Sequence, residues 1–344
     1  MTIVEITRLV TGGVDTHADV HVAAAVDANG GVLGVEMFAT TPSGYAELAD
    51  WLAGFGELVR VGVEGTGAYG AGLARFLRTR DVTVIEVDRP NRQARRRQGK
   101  SDTIDAIEAA RAALSGRASG VAKTADGDVE AIRALLVARR SGRNVRVKYL
   151  NQLRHLIFTA PDELRERFRH VHRDQLARTA ASLRPSGDVV TSATKLAMIT
   201  LGRRVLALEA DGARLDRDLE RLVRTVAPKL LEVYGVGVHT AAILLVAAGD
   251  NPHRLKSEAA FAHLCGVAPI PASSGKTTRY RLNPGGNRQA NHALWRIVFT
   301  RMSNDERTRN YVARRLAEGK TIREIMRVLK RYVARELYPH VVTR

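Results

Sequence analysis

The hydrophobic and polar positions of the first forty residues indicate strands that follow one another closely. Apolar runs over 9–15, 20–26 and 32–40 each have the length of a strand. Asp27-Ala-Asn-Gly-Gly31, between the second run and the third, is built from residues that tolerate positive φ and favour turns. We therefore predict a meander of three strands at the start of the chain.

Helical and strand periods then alternate up to residue 87. Thr41-Pro42-Ser43 has the composition of a helix start. The predicted elements after it are a helix over 45–52, a strand over 58–64, a helix over 71–78 and a strand over 82–87. A three-stranded meander followed by helix, strand, helix and strand is the order of a ribonuclease-H-like α/β domain. That is the fold class we predict for residues 1–125.

The rest of the chain carries mainly helical patterns. Asp102 opens a helix that runs to about Leu114, and 126–225 has little strand signal and few Gly or Pro residues. We predict a helical connector or coiled coil over 126–225. Residues 226–344, which include a loop at 265–287, are predicted to form a mostly helical C-terminal domain.

The charge balance points to a polyanionic partner. The chain has 54 Lys and Arg residues against 36 Asp and Glu residues, a formal net charge of +18. An Arg-rich proteome would explain the preference for Arg over Lys, but it would not explain this surplus. Residues 89–100 hold six basic residues and no acid, and 133–173 hold eleven basic residues and three acids.

The cysteine count, the apolar runs and the N-terminal residues indicate the compartment in which the protein works. Cys265 is the single cysteine, so one chain can form neither a disulfide framework nor a cysteine zinc site, and its apolar surroundings predict a core residue. No apolar stretch approaches the length of a membrane span, and the N-terminus lacks the pattern of a signal peptide. We therefore expect a cytoplasmic protein that acts on nucleic acid.

Four acidic residues form the candidate chemistry of the first domain. Asp15 ends the first predicted strand and Glu64 ends the fourth, and these strands are neighbours in a ribonuclease-H-like sheet. Asp102 and Asp105 lie one helical turn apart and so share a face. Clustered carboxylates need cations, and hard oxygen ligands suit Mg²⁺ or Mn²⁺. Two such ions would suit phosphoryl transfer.

Each acid also has a simpler interpretation. Asp15 could start a turn, Asp102 could stabilise its helix N-terminus through the dipole, and Asp105 could be a solvated helix residue. Asp88 also ends a predicted strand and competes for a place in the set. The glycines around Glu64 do not form a dinucleotide fingerprint, and we interpret them as room for a phosphate backbone.

The C-terminal domain contains two candidate DNA-binding features. The stretch around Gly235-Val-Gly237 resembles a helix-hairpin-helix, whose backbone N–H groups meet DNA phosphates, although a helical pair packed in a core fits equally well. Ser273-Ser274-Gly275 opens a basic loop in which a serine is either a turn residue or a nucleophile. The residue pattern alone does not choose between Ser273 and Ser274.

We expect nucleic-acid contacts from basic residues of two loops and from the glycines of the hairpin. The candidate nucleic-acid-binding residues are Arg92, Arg95, Arg96, Arg97, Lys100, Gly235, Gly237, Lys276, Arg279, Arg281 and Arg288.

The combination of these motifs resembles the DEDD-type transposases of the IS-one-ten insertion-sequence family, which have Piv-like DNA invertases as relatives. The resemblance covers nearly the whole chain. It rests on Gly-Val-Asp15-Thr-His, Val-Glu64-Gly-Thr-Gly, Lys-Ser-Asp102-Thr-Ile-Asp105-Ala, the Gly235 stretch, Phe-Ala-His-Leu-Cys-Gly-Val-Ala-Pro, Ser274-Gly275 and Asn-Pro-Gly-Gly-Asn287-Arg288.

The resemblance implies functions for these residues. It makes Asp15, Glu64, Asp102 and Asp105 the metal site of a RuvC-like domain, and Ser274 the nucleophile of a C-terminal transposase domain. It further implies a covalent serine–DNA intermediate, and a dimer or tetramer in which the serine and the carboxylates meet across protomers. Some members use a structured bridge RNA, so a guide RNA is a candidate partner besides DNA.

Two other functions compete with a recombinase at this point. A structure-selective nuclease of the Holliday-junction-resolvase type would need the carboxylates but no serine. A basic scaffold that binds nucleic acid without catalysis would use the acids structurally. The order of the carboxylates argues against the scaffold, and the long C-terminal half argues against the simple nuclease.

Overall fold

The structure, a computed structural model, describes residues 8–87, 101–273, 275 and 280–343. The described chain divides into two compact units, and the first of them contains a mixed α/β sheet. Its elements are β1 (Leu9–Thr16), β2 (Val20–Val26), β3 (Val32–Ala39), α1 (Pro42–Ala53), β4 (Glu57–Glu64), α2 (Ala71–Thr79), β5 (Thr83–Val87), α3 (Asp102–Leu114) and β6 (Gly120–Val121). The predicted order of strands and helices up to residue 87 is confirmed.

The sheet of the first unit has the order β3-β2-β1-β4-β5-β6. β1, β2 and β3 form the antiparallel meander, whereas β4 pairs parallel to β1, and β5 pairs parallel to β4. The short β6 closes the described edge by antiparallel pairing with β5. The parallel pairing of β1 with β4 brings their carboxyl ends to the same edge of the sheet.

One face of the sheet packs on α1 and α2 through apolar side chains. Leu48 and Leu52 of α1 and Leu73 and Leu77 of α2 are fully buried there. The Thr41 side chain accepts a hydrogen bond from the backbone N–H of Gly44, so the predicted helix start is confirmed.

Helix α3 lies unusually close to the opposite face, because glycines of β1 and β4 leave room for its backbone. Gly13 and Gly62 are register partners at the centre of the sheet. A Cβ on Gly13 would lie 2.1 Å from the backbone nitrogen of Ala110, and one on Gly62 would lie 2.5 Å from the carbonyl oxygen of Ala109. Any side chain at Gly13 or Gly62 would therefore push the helix off the sheet.

The first unit also includes a segment from much later in the chain, Ala248–Lys256. The side-chain amide of Asn251 donates to the carbonyl oxygen of Ala122 at 2.9 Å, and its oxygen accepts from the N–H of Thr124 at 3.3 Å. Asn251 is buried, so its two hydrogen bonds take the place of water for the backbone carbonyl of Ala122 and the backbone N–H of Thr124, next to β6. The sequence predicted three domains, over 1–125, 126–225 and 226–344. These boundaries follow the change in element type along the chain, and the division into three domains stays a prediction.

The second unit, Asp128–Ala247 with Ser257–Arg344, is mostly helical. Its elements are α4 (Asp128–Thr159), α5 (Asp162–Phe168), α6 (Leu176–Ala181), α7 (Val189–Val226), α8 (Pro228–Glu232), α9 (Val238–Ala248), α10 (Glu258–Leu264), β7 (Ile270–Pro271), β8 (Tyr280–Arg281), α11 (Arg288–Asn304), α12 (Glu306–Ala317) and α13 (Ile322–Val342).

The long helices α4 and α7 run antiparallel along each other. Arg139 pairs with Asp216 at 2.7 Å, and Arg146, two turns further along α4, pairs with Glu209, two turns earlier in α7. Helices α4 to α7 confirm the predicted helical character of 126–225, and its role as a connector stays a prediction. Part of its basic charge serves to hold the two helices together.

Cys265 is fully buried after α10, as its apolar surroundings predicted. Burial raises the pKa of its thiol to about 12, so the group stays a neutral thiol at physiological pH. Among the described residues, no helix is both long enough and apolar enough to cross a bilayer.

Candidate metal centre

Asp15 and Glu64 occupy adjacent positions at the ends of neighbouring parallel strands. Val14 pairs with Val63, so the two acids come next in register. The Thr16 hydroxyl donates to the carbonyl oxygen of Glu64 at 2.9 Å and ties the strand ends together. Because side chains alternate along a strand, the acids point to the same face of the sheet as the glycines two residues earlier, which is the face covered by α3.

The N-terminal turn of α3 supplies the other two acids. Asp102 is the first residue of the helix and is exposed, whereas Asp105 is only 3% exposed. Carboxylates in the first turn are stabilised by the helix dipole. Because Asp102 and Asp105 belong to α3, the close approach of this helix to Gly13 fixes the positions of both carboxylates relative to the ends of β1 and β4.

A histidine joins two of these acids. Nε2 of His17 lies 3.1 Å from Oδ2 of Asp15 and 3.5 Å from Oδ2 of Asp102. Among the described residues, Asp15, His17 and Asp102 form a group whose potential ligand atoms all lie within 4.8 Å of one another. Glu64 and Asp105 flank this group rather than belong to it.

The sequence analysis did not single out His17, although a signal for it was present. The residue follows Asp15 by two positions at the end of a strand, so both side chains emerge on the same face. Imidazole is a common metal ligand, so a histidine that emerges beside a candidate carboxylate ligand is itself a candidate.

Burial and like charges act together on Asp15. The carboxyl group is buried, which raises its pKa from the ordinary value. The neighbouring carboxylates of Asp105 and Asp102 raise this pKa further, whereas His17 opposes the shift through its charge and its hydrogen bond. A cation placed among these groups would relieve the repulsion.

The hairpin around Gly235 joins α8 to α9 in a helix–turn–helix arrangement. Gly235 has φ 82°, a conformation that favours glycine. Arg301 donates to the carbonyl oxygen of Tyr234 at 2.9 Å, and its guanidinium pairs with both carboxylate oxygens of Glu336 at 2.7 and 3.0 Å. The turn is thus fixed to α11 and α13, while a Cβ at Gly237 would have no atom of the described residues within 4 Å.

Only part of the serine loop falls within the described residues. β7 and β8 pair antiparallel and bracket 272–279, in which Ser273 and Gly275 are exposed. Arg281 at the end of β8 and Arg288 at the start of α11 are exposed as well. The candidate residues that lie outside the described part of the chain are Ser274, Lys276, Arg279, Asp88, Arg92, Arg95, Arg96, Arg97 and Lys100.

Two models of known protein families match this chain, one near its start and one in its C-terminal third. A family model described as a transposase, of the DEDD type found in IS110 elements, matches residues 12–159. A second model, described as the transposase IS116/IS110/IS902 family, matches residues 227–313. The chain belongs to the IS110 (IS-one-ten) family of transposases.

A curated relative supports this membership in the IS110 family. The chain is 33% identical over 134 residues to the insertion element IS110 uncharacterized 43.6 kDa protein of Streptomyces coelicolor. The alignment covers 38% of this chain and 33% of that relative, so the matched stretch spans about a third of the relative's length.

The candidate residues of this IS110-family chain lie inside the matched segments. Asp15, Glu64, Asp102 and Asp105 all fall within 12–159, and the serine loop falls within 227–313. The donor set of the first segment suits a divalent metal, because it offers carboxylate oxygens and one imidazole nitrogen at a buried strand end. The acid cluster and the family together point to a divalent metal site.

Proposed function

We propose that the protein is an insertion-sequence transposase that cuts and rejoins DNA strands in a metal-dependent reaction. The observation that carries the proposal is the convergence of Asp15, His17 and Asp102 at the carboxyl edge of β1, within a segment matched by the DEDD transposase model. Three residues from two separate stretches of chain meet there, which a purely structural role for the acids does not require.

The topology of the first unit supports a ribonuclease-H-like, RuvC-like domain. The meander β3-β2-β1 followed by the parallel strands β4 and β5 is the strand order expected of that fold. In such a sheet the ends of the first and fourth strands form the active-site edge, and Asp15 and Glu64 lie there.

We propose that Asp15, Glu64, Asp102 and Asp105 hold divalent ions, Mg²⁺ or Mn²⁺, with His17 as an additional ligand or a positioning residue. When bound, such ions polarise the phosphodiester and stabilise the charge that develops as it is cleaved. The buried Asp15 and Asp105 keep fixed positions, whereas the exposed Asp102 faces solvent, from which DNA would arrive.

The proposed nucleophile is the hydroxyl of Ser274, with Ser273 as the alternative. The serine oxygen would form a bond to phosphorus while the bond from phosphorus to one deoxyribose oxygen breaks. The serine proton would pass to that released oxygen. Reversal with a different strand end would rejoin the DNA and restore the serine, so the exchange needs no energy-rich cofactor.

The proposed partners follow from the charge and from the family. Family membership implies DNA binding, and exposed basic residues of α4 such as Arg140 and Arg143 offer a surface for DNA or for a structured guide RNA. We further propose a homo-oligomer, a dimer or a tetramer, in which the serine of one protomer meets the carboxylates of another.

A trapping experiment tests the proposal. Full-length protein is incubated with element-end DNA, Mg²⁺ and RNA transcribed from the flanks of the element, and covalent protein–DNA adducts are resolved on a denaturing gel. We expect Asp102→Asn and Ser274→Ala to bind DNA but to form no adduct. Asp50→Asn, which alters an exposed acid that pairs with Arg80, is the matched control and should form adducts normally.

The variants also separate the competing functions. An adduct that persists in Ser274→Ala and disappears in Ser273→Ala would move the nucleophile by one residue. Metal-dependent cleavage without any adduct would favour a resolvase-like nuclease. The absence of cleavage under every metal condition would leave the non-catalytic scaffold and overturn the proposal.

A further inference from the structure

A cavity of about 560 Å³ lies in the second unit, between the segments that flank the serine loop and helix α13. Residues 266–269 and 280–283 form one wall, and 324–332 of α13 contribute much of the other. Its volume is within the range of roughly 300–1,000 Å³ of small-ligand sites. Because β8 contributes to the wall, the cavity is at the base of the hairpin that carries the serines.

The cavity carries a strong surplus of positive charge. Among the described residues, six basic side chains and one acidic side chain line it. Two of the basic groups are engaged by acids, since Arg331 pairs with Glu258 and Arg315 pairs with Glu318. Within the described part of the chain, Arg281, Lys320 and Arg327 have no ion pair of this kind, which leaves them available to an anionic ligand.

Lys330 holds a fixed position in the wall. Its Nζ donates to Oδ1 of Asn291 at 2.8 Å, and Nδ2 of Asn291 donates in turn to the carbonyl oxygens of Cys265 and Gly266, both at 3.0 Å. Burial lowers the pKa of Lys330, and the neighbouring Arg327 lowers it further. An anion in the cavity would offset both effects.

Two tyrosines line the same cavity with accessible rings. Tyr280 is 65% exposed and Tyr332 is 52% exposed. The ring of Tyr332 is held on α13 and packs edge-to-face with Tyr311 at 6.3 Å. Accessible aromatic rings next to unpaired cations are the combination by which proteins bind single-stranded nucleic acid, since bases stack on the rings and phosphates meet the cations.

We propose that this cavity binds one unpaired nucleotide of the DNA strand, with its base on Tyr332 and Tyr280 and its phosphate at Arg327 and Lys330. This inference rests on the proposed function and adds a binding mode to it. The bases of a duplex are stacked and paired, so they cannot reach a ring in a cavity of this size without leaving the helix. The site would therefore select strands that are open near the serine loop.

Binding of short oligonucleotides to the full-length protein tests the site without catalysis. Fluorescently labelled single strands and matched duplexes are titrated in EDTA at fixed salt. We expect Tyr332→Ala and Tyr280→Ala each to weaken single-strand binding by about 5- to 100-fold and to leave duplex binding unchanged. Tyr332→Phe, which keeps the ring, should bind as the unmodified protein does.

The phosphate contact has its own readout. Arg327→Ala should weaken single-strand binding and reduce the slope of log K against log salt by about 0.7. Arg323→Ala removes an exposed arginine of the same helix that does not line the cavity, so it serves as the matched control and should not change the slope selectively. Equal thermal unfolding temperatures would show that all variants are folded.

An abasic scan identifies the base itself. One abasic nucleotide, moved along the oligonucleotide, should weaken binding at one position, and that loss should disappear in Tyr332→Ala, since both changes remove the same contact. Losses that simply add, or Tyr→Ala effects that are equal for single strands and duplexes, would overturn the proposal. Tighter binding of an RNA oligonucleotide of the same sequence would overturn the assignment to DNA.

The outcomes remain distinguishable from those of the adduct assay. Oligonucleotide binding in EDTA needs neither metal nor serine, so it can succeed where strand exchange fails. Conversely, normal adduct formation by Tyr332→Ala together with unaltered single-strand affinity would remove this site and leave the proposed reaction standing.

Discussion

At the scale of single residues, His17 changes the description of the acidic cluster. Four carboxylates alone would repel one another, but one imidazole nitrogen lies within 3.5 Å of two of them. The same nitrogen can serve as a hydrogen-bonding partner of Asp15 or as a ligand of an ion held by Asp15 and Asp102. Both roles would make His17 matter to metal binding.

We therefore expect His17→Ala to weaken Mn²⁺ binding by about 10- to 100-fold, the usual effect of removing a group that supports a metal site. Isothermal titration calorimetry of the full-length protein measures the affinity. His155→Ala, which removes an exposed histidine of α4, is the control and should bind Mn²⁺ unchanged. Unaltered or tighter binding by His17→Ala would exclude both roles.

At the scale of elements, the position of α3 decides where the carboxylates stand. The helix carries two of the four acids, and its backbone approaches β1 and β4 only because Gly13 and Gly62 lack side chains. The glycines lie two residues before Asp15 and Glu64 on the same strands. Helix docking and site assembly thus depend on the same short stretches of β1 and β4.

Gly13→Ala is expected to destabilise the protein by about 1–3 kcal/mol or more, because the added methyl group would meet backbone atoms that cannot rotate away. It should also reduce Mn²⁺ affinity, since α3 would move away from β1. Thermal unfolding and calorimetry measure the two effects. Gly120→Ala is the control, because its Cβ would have no neighbour closer than 4.0 Å among the residues that the structure describes. A Gly13→Ala variant with normal stability would contradict the close docking.

The sequence predicted those elements whose signals are local. The meander and the start of α1 follow from apolar runs of strand length, turn residues and a capping threonine, all of which act within a few residues. The close approach of α3 to Gly13 depends on tertiary packing. An isolated glycine in a strand pattern does not reveal which element packs against it.

The candidate site was predictable to a similar extent. The acids could be identified because two of them end apolar strands, whereas the bridging position of His17 depends on how α3 places Asp102. Local sequence patterns could not predict that Asn251 belongs to the first unit, because its hydrogen-bond partners are more than 120 residues away in the chain.

At the scale of the whole molecule, the net charge of +18 should dominate nucleic-acid affinity. Within α4 the basic residues differ in availability, because Arg139 and Arg146 are paired with acids of α7, whereas Arg140 and Arg143 are exposed. The second pair is therefore the better candidate for phosphate contacts.

The double variant Arg140→Gln/Arg143→Gln is expected to reduce the slope of log K against log salt for duplex DNA by about 1.8, since each lost phosphate contact contributes roughly 0.9. Fluorescence anisotropy over a salt series measures the slope. Arg165→Gln, which removes an exposed arginine paired with Asp162, is the control. An unchanged slope in the double variant would place the DNA elsewhere on the protein.

Because Ala248–Lys256 belongs to the first unit, the first unit cannot be expressed intact as a simple N-terminal fragment. A fragment that stops at Gly127 would lack Asn251 and would expose the peptide groups of Ala122 and Thr124 that this residue satisfies. Expression of residues 1–127 alone would thus leave a defect at the edge of the sheet. A grafted loop that carries residues 248–256, rather than a longer C-terminal end, is the rational repair.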